Sequence, residues 1–265
     1  YDAQLGMFHN PDRFAHKYYS ISPYQYAANN PISNIDINGD SIFVQVMMNK
    51  ETREVQNHYY GQVDGKWGLV GSDGKLYSGD DNFAKSIAGA LDDLRTGGDF
   101  GAKFVGDAAT GSDNIDIKPY SGNNVTDGTT LYVNPNADQS APTEKGSQRL
   151  PFNITLGHEM AHGLATAKGV KFDNWVTIPT EKGDRTLSQT ELYATHVENM
   201  LRSESNLPLR THYSQDSDGG TVSETRILDS KSRSLYFPTG NTSPSGNTYP
   251  KTVLEPNRFI YRPKR

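Results

Sequence analysis

Apolar and polar positions alternate along the chain in patterns that predict both strands and helices. Residues 41–48, "SIFVQVMM", are typical of a β-strand, and the aromatic-rich stretch after them contains Asp64-Gly65 and Asp73-Gly74, dipeptides that favour hairpin turns. Residues 114–120 and 129–135 carry β-branched and aromatic residues and predict two further strands. The first half of the chain is therefore expected to form a sheet.

Three segments have the spacing of apolar residues that predicts an α-helix. Residues 80–98 end at two glycines and carry an apolar stripe made of Phe83, Ile87, Ala90, Leu91 and Leu94. Residues 151–169 begin with a proline, which suits a first helical position, end at a glycine, and carry a ridge made of Phe152, Leu156, Met160 and Leu164. Residues 188–205 predict the third helix. The tail after it is rich in turn-forming residues, with short strand-like pieces at 225–228 and 258–261.

The composition excludes several classes of function. The chain has 265 residues, of which 34% are hydrophobic, and a formal net charge of −5. An acidic chain lacks the basic surface that nucleic acids require, and no run of about 18 apolar residues is present that could span a membrane. Cysteine is absent, so any transition metal must be bound by His, Asp or Glu.

The sequence "TLGHEMAHGL" places two histidines four residues apart in the second predicted helix. His158 and His162 would face the same way one turn apart and could bind one zinc ion, and Glu159 beside them could take a proton from water. The alternative is that both histidines are ordinary core or surface residues. Gly157 and Gly163 favour zinc, because a glycine inside a helix costs about 1 kcal/mol relative to alanine, and room for a metal and a peptide would explain that cost.

A catalytic zinc needs a third protein ligand and an open position for water. The third predicted helix offers Glu191 and Glu198, which lie on one face two turns apart, while His196 points elsewhere. Glu191 is the predicted ligand, with Glu198 or Asp184 as alternatives, and Glu198 could instead support a ligand histidine. Against this assignment, the sequence "SQTE" fits a capping box, in which Glu191 would turn back to the start of its own helix.

The sequence "ELYA" at the start of the third helix resembles the E-x-x-A signature of the zincins that use a glutamate as third ligand, although Thr195 stands where several of those families carry an aspartate. The stretch from residue 60 to 215 also resembles a family of bacterial effector zinc metallopeptidases, found in injected effectors and as the tips of RHS toxins. Arg210 and Tyr213 are similar to an R-x-x-Y pair of clostridial neurotoxin light chains, where both side chains face the developing oxyanion. His212 could stabilise the oxyanion instead. In the non-catalytic alternative, Arg210 is an ordinary surface residue and Tyr213 packs against the fold.

The first 40 residues differ from the rest and are crowded with Tyr, Asn and Pro. They resemble the closing segment of the RHS repeat-associated core in the opening "YDAQLGMF", the middle "SPYQYAANNP" and the ending "IDINGD". In that family the segment closes a β-cage shell, and a variable toxin domain follows it. The family end usually reads Asp-Pro-x-Gly, whereas this chain has Ile37 at the proline position.

These resemblances imply an organisation and a fold. Residues 1–40 are expected to end the RHS shell, and residues 41–265 to form the toxin domain. The implied fold is α+β and zincin-like, with an antiparallel or mixed sheet, the histidine-bearing helix and a second ligand-bearing helix. The strand at 129–135 is expected to pair with an extended substrate through backbone hydrogen bonds.

The implied function is a zinc-dependent endopeptidase toxin with Zn²⁺ held by His158, His162 and Glu191. Such a toxin would be translocated by a bacterial secretion system and would cleave a protein inside a target cell. A cognate immunity protein and the RHS shell of the parent chain are the other implied partners. The alternatives are an RHS-delivered toxin of another class, such as a nuclease or nucleotide-modifying enzyme, and a non-catalytic zinc-binding module.

Overall fold

The computed structural model describes residues 42–110, 114–169, 175–178, 185–215, 220–240 and 253–262. The RHS-like segment and Asp184 lie outside the described residues, and the predictions made for them stay predictions. The helices of the described part are α1 (Asn82–Gly97), α2 (Asp99–Thr110), α3 (Phe152–Ala167) and α4 (Gln189–Glu204). Its strands are β1 (Ile42–Asn49), β2 (Glu54–Val63), β3 (Lys66–Val70), β4 (Ile115–Pro119), β5 (Val125–Asp127), β6 (Thr130–Val133), β7 (Ser140–Thr143), β8 (Gly146–Arg149), β9 (Trp175–Ile178), β10 (Arg185–Ser188), β11 (Arg233–Pro238) and β12 (Arg258–Ile260).

Six strands form one mixed sheet in the order β3-β2-β1-β4-β6-β5. The strands β1, β2 and β3 form an antiparallel meander, β4 pairs in parallel with β1 and with β6, and β5 pairs antiparallel with β6. The three predicted strands and the hairpin turn at Asp64-Gly65 are confirmed. Both turn residues have positive φ angles, 49° and 78°, which is the conformation that a two-residue hairpin loop requires. The α+β class with a mixed sheet is confirmed as well.

The strand predicted to pair with a substrate is β6, which is an internal strand of this sheet. It is bonded to β4 on one side and to β5 on the other, so its backbone groups are already used. A peptide can add only to an exposed sheet edge, and this prediction was therefore wrong. The edge at this end of the sheet is β5.

The helices pack on the sheet and enclose the core. Alternate residues of β1, namely Ile42, Val44 and Val46, are fully buried, as the twofold periodicity of a strand requires when one face is covered. Helix α1 packs on β1, and α3 packs on the end of the sheet formed by β4, β6 and β5. This arrangement brings the histidine-bearing helix beside the edge strand.

Helix α2 follows α1 directly and was not predicted, because the glycines near residue 98 indicate only a helix end. Its first turn is capped by a distant side chain: the backbone N–H groups of Phe100 and Gly101 donate to the Glu204 carboxylate at 2.6 and 2.9 Å. A carboxylate at a helix N-terminus satisfies unpaired N–H groups and is favoured by the helix dipole. Since Glu204 ends α4, only the tertiary structure could supply this cap.

The glycines of α3 permit close packing of the core, and the prediction that they make room for a metal was wrong. A Cβ atom at Gly157 would lie 2.5 Å from Leu201 Cδ1 of α4, and one at Gly163 would lie 2.7 Å from Ile115 Cδ1 of the sheet. Both glycines therefore point away from the histidines, towards neighbouring elements. They let α3 approach α4 and the sheet closely enough to bring the polar side chains together.

The carboxyl-terminal part forms a short antiparallel pair of strands, β11 and β12. The strand-like piece at 258–261 corresponds to β12, whereas 225–228 makes only isolated bridges, among them Leu228 to Ser234. Among the described residues, no helix is long and apolar enough to cross a membrane.

Candidate active site

Helices α3 and α4 bring three potential metal ligands together. The Nε2 atoms of His158 and His162 are 3.2 Å apart, and Oε2 of Glu191 lies 3.3 Å from the first and 3.2 Å from the second. An ion bound tetrahedrally with bonds of 2.0–2.1 Å separates its ligand atoms by about 3.3 Å. These three residues could therefore hold a metal ion.

Glu191 does not follow the capping-box alternative. The cap of α4 is made by Ser188, whose hydroxyl accepts a hydrogen bond from the Thr190 backbone N–H at 3.2 Å. The Glu191 carboxylate instead faces the two histidines of α3. Glu191 thus lies where it could be the third ligand of a metal ion.

The charges of these groups are strongly coupled. Burial alone would lower the pKa of His158, but hydrogen bonds and charge from Glu191 and Glu198 outweigh it and raise this pKa to about 10. Burial would raise the pKa of Glu191, but its hydrogen bonds to His158 and His162 hold this pKa far below the ordinary range. The glutamate is therefore an anion that attracts a cation to this position. A metal bound by the imidazoles would displace the proton from them, since a histidine ligand must be neutral.

Glu198 contacts the opposite side of the His158 ring. Its Oε2 lies 3.1 Å from Nδ1 of His158, and its two oxygens accept hydrogen bonds from Arg202 Nε and Arg210 Nη1, each at 2.8 Å. Burial would raise the pKa of Glu198, but the charge of Arg210 and the contact with His158 lower it well below the ordinary range. A carboxylate at Nδ1 favours the tautomer whose Nε2 is free to bind a metal, which suits a supporting residue better than a third ligand.

Glu159 lies beside the histidines and is bonded to the edge strand. Its Oε2 accepts a hydrogen bond of 2.6 Å from the Thr126 hydroxyl of β5, and its side chain is buried. Thr126 was not identified from the sequence, because no motif marks it. Its only sequence signal is its place in a short polar stretch before β6.

The loop after α4 places Arg210 and Tyr213 at the same cavity. Arg210 donates to Glu198 and also, through Nη2, to the Tyr213 carbonyl oxygen at 2.7 Å. Burial, together with the nearby charge of Glu191, raises the pKa of the Tyr213 hydroxyl, so this hydroxyl keeps its proton. His212 faces elsewhere: its Nδ1 lies 3.0 Å from Thr211 Oγ1, and the residue lines a separate cavity of about 520 Å³.

Two other histidines pack in the core. His196 is buried and stacked on Phe237, and its Nδ1 lies 2.6 Å from the Tyr261 hydroxyl. His58 is buried against the edge of Tyr77. Neither histidine lines the cavity onto which the potential metal ligands open.

The three potential metal ligands line one cavity of about 610 Å³, together with Glu159, Glu198, Arg210 and Tyr213. One wall is the edge strand with the turn before it, a second is the segment that leads into β7, and the floor is formed by α3 and α4. Most of its lining is polar. The lining residues are Asn123, Asn124, Val125, Thr126, Asp138, Gln139, Ser140, Leu150, Thr155, His158, Glu159, His162, Ser188, Thr190, Glu191, Glu198, Arg210 and Tyr213.

Comparison with known proteins assigns this domain to a family of peptidases. The family model Peptidase_M91, described as "Effector protein", matches residues 72–213, more than half of the chain. This range contains all four helices and every residue of the potential metal site. No curated protein and no solved structure matches the chain significantly. The chain belongs to the Peptidase_M91 family of effector proteins, and its domain is that of an effector peptidase.

Proposed function

We propose that this protein is a zinc-dependent endopeptidase that cleaves a protein of the cell into which it is delivered. The observation that carries the proposal is the set of three donor atoms separated by 3.2, 3.2 and 3.3 Å, which fits one tetrahedral zinc ion. His158, His162 and Glu191 would hold the ion, and the cavity that they line would leave room for water beside it. An open position is the property that separates a catalytic zinc from a structural one.

When bound, zinc supplies a Lewis acid that lowers the pKa of water and polarises the carbonyl group of the scissile peptide. Glu159 accepts the proton of the attacking water and passes it to the leaving amine. Tyr213, which keeps its proton and lines the cavity, donates a hydrogen bond to the developing oxyanion. Arg210 was expected beside the oxyanion too. Its hydrogen bonds to Glu198 and to the Tyr213 carbonyl favour holding the loop and Glu198 in place.

The substrate would bind as an extended strand along β5. This strand is the edge of the sheet, it lines the cavity, and its Val125 side chain is 47% exposed. Backbone hydrogen bonds to an edge strand hold a peptide in register with little dependence on its side chains. Selectivity would then come from the largely polar side chains of the other walls.

The delivery route rests on the resemblance of the first 40 residues to the RHS core. Under this proposal those residues end an RHS shell, residues 41–265 form the toxin, and a cognate immunity protein protects the producing cell. The family is one of effector proteins, which supports action inside a target cell.

The test compares the wild-type protein with the Glu159→Gln variant. The variant should keep zinc, because Glu159 is outside the predicted ligand set, and should lose about 10²- to 10⁴-fold in kcat, the usual contribution of a general base. Metal content is measured by mass spectrometry of the intact protein, and cleavage by new termini in a proteome-derived peptide library. A variant as active as the wild type would refute the role of Glu159. Cleavage that persists after chelation and complete zinc removal would refute zinc dependence.

A further inference from the structure

The Thr126 hydroxyl makes a short hydrogen bond to the carboxylate of Glu159. The distance from Thr126 Oγ1 to Glu159 Oε2 is 2.6 Å, which is typical of a charge-assisted hydrogen bond from a hydroxyl to a carboxylate, and the same hydroxyl lies 3.2 Å from the Glu159 carbonyl oxygen. In the part of the chain that the structure describes, no other hydrogen bond to this carboxylate is found. The orientation of the Glu159 carboxylate therefore depends on Thr126.

The strand that carries Thr126 is held at a defined distance from α3. Thr126 is paired with Leu131 of β6, and the Leu131 side chain packs over Gly163 of α3, where a Cβ atom would lie 3.1 Å from Leu131 Cδ1. A larger residue at position 163 would push the sheet away from the helix. The close approach at Gly163 thus brings the Thr126 hydroxyl within hydrogen-bonding distance of Glu159.

We propose that Thr126 is a positioning residue that aims the Glu159 carboxylate at the attacking water. This inference rests on the proposed function, in which Glu159 is the general base. It extends that function because Thr126 lies on the strand along which the substrate would bind. One three-residue strand then sets both the register of the peptide and the orientation of the base. The scissile peptide and the Glu159 carboxylate are therefore both positioned by β5.

The energetic reason is the freedom of a glutamate side chain. Glu159 has three rotatable bonds, and an unrestrained carboxylate would spend most of its time away from the productive orientation. A misplacement of about 1 Å in a reacting group can cost about 100-fold in rate. A single hydrogen bond from a strand that is paired with β6 reduces this loss by restricting the Glu159 carboxylate to one orientation.

The experiment compares Thr126→Val, which keeps the branched shape but removes the hydroxyl, with Thr126→Ser, which keeps the hydroxyl. The substrate is the peptide that the wild-type protein cleaves fastest in a proteome-derived library. We expect Thr126→Val to lower kcat by about 10- to 100-fold with KM changed by less than about threefold, and Thr126→Ser to stay within about threefold of the wild type. A crystal structure of Thr126→Val should show the Glu159 carboxylate turned away from its position in the wild type.

Thr130→Val is the matched control, because Thr130 lies on the neighbouring strand β6 and does not line the cavity. It should leave kcat, zinc content and melting temperature unchanged. If Thr126→Val does not fold, Thr126→Ala replaces it in the comparison with Thr126→Ser.

The outcomes separate this inference from the proposed function. A wild-type protein that cleaves peptides while Thr126→Val has an unchanged kcat overturns the inference alone. The same holds if Thr126→Ser is as slow as Thr126→Val, because the hydroxyl would then be irrelevant. If the wild-type protein cleaves nothing in the library, the proposed function is overturned. The proposed role of Thr126 is then overturned as well, because it depends on that function.

Discussion

At the scale of single residues, two glutamates of the same helix face take different positions around one histidine. Glu191 approaches the Nε2 side of His158 and keeps some exposure to the cavity, whereas Glu198 approaches Nδ1 and is almost fully buried between two arginines. The seven-residue spacing places both carboxylates on one face of α4, two turns apart, and the imidazole ring fits between them. Which glutamate could bind a metal together with His158 and His162 is thus decided by the side of the ring that each one faces.

This difference predicts different losses of zinc binding. Under the proposed function, Glu191→Gln removes a ligand and should abolish the binding of one zinc per chain. Glu198→Gln should keep that stoichiometry but weaken the affinity by about 10- to 100-fold. Affinities are measured by competition with a chromophoric chelator. Glu204→Gln is the matched control, since Glu204 is on the same helix and caps α2. Full stoichiometry at unchanged affinity in Glu191→Gln would remove this residue from the site.

At the scale of elements, the separation between α3 and its neighbours is set by residues that have no side chain. Gly157 faces Leu201 of α4, and Gly163 faces the sheet. The intrinsic cost of two glycines in one helix is offset by the close contacts that they permit, which position His158 and His162 opposite α4 and the edge strand. Stability and site geometry therefore depend on the same two residues.

Gly157→Ala should lower the free energy of unfolding by about 1–3 kcal/mol, because the added methyl group overpacks the contact with Leu201. Gly89→Ala is the control, because Gly89 lies in α1 and an added Cβ would have no atom within 4 Å. This substitution should raise the free energy of unfolding by about 0.5–1 kcal/mol. Urea denaturation monitored by circular dichroism gives both values. Stabilisation by both substitutions would contradict the packing role of Gly157.

At the scale of the whole molecule, the segment beyond the family match holds the loop that carries Tyr213. The Tyr213 N–H donates to the Thr225 carbonyl oxygen and the Ile227 N–H donates to the Thr211 carbonyl oxygen, each at 2.9 Å. Arg262 donates to the Leu207 carbonyl oxygen at the start of this loop. The carboxyl-terminal residues thus hold the loop that carries Tyr213 through hydrogen bonds with its backbone.

Asp229 makes this carboxyl-terminal part sensitive to acid. Burial would raise the pKa of Asp229, but hydrogen bonds from the Arg233 and Lys231 backbone and from the Arg233 and Arg258 side chains outweigh it and lower this pKa to about 2. A carboxyl group whose pKa is lower in the folded state stabilises the fold above its ordinary pKa. That contribution is lost as the pH falls from about 4 to about 2.

The free energy of unfolding of the metal-free wild type should exceed that of Asp229→Asn at pH 5, and the difference should shrink by about 2 kcal/mol between pH 5 and pH 2. Denaturation in the presence of a chelator measures it without a contribution from metal release. Lys231→Met is the control, because the Lys231 ammonium group makes an exposed ion pair with Glu255 and does not contact Asp229 among the described residues. If the difference in the free energy of unfolding between the wild type and Asp229→Asn stays constant with pH, the ionised Asp229 carboxylate does not stabilise the fold as expected.

Whether a structural feature could be predicted from the sequence depended on the distance along the chain between the residues that form it. The strands, the hairpin turn and three helices followed from local periodicity and turn residues, which act over a few positions. Helix α2, the edge strand and Thr126 did not, because their roles depend on partners far away in the sequence. Thr126 and Glu159, for example, are 33 residues apart, and Phe100 and Glu204, which caps α2, are 104 apart.

The sequence by itself determined that two histidines share one helix face with a glutamate beside them, because a spacing of four residues in a helix leaves no other arrangement. It also determined that any metal ligands must be nitrogen or oxygen atoms, since cysteine is absent. Only the tertiary structure decided which glutamate lies beside Nε2 of both histidines, which strand forms the neighbouring edge of the sheet, and why the glycines are needed. Those questions concern distances between separate elements, and such distances are set by the packing of side chains in the core.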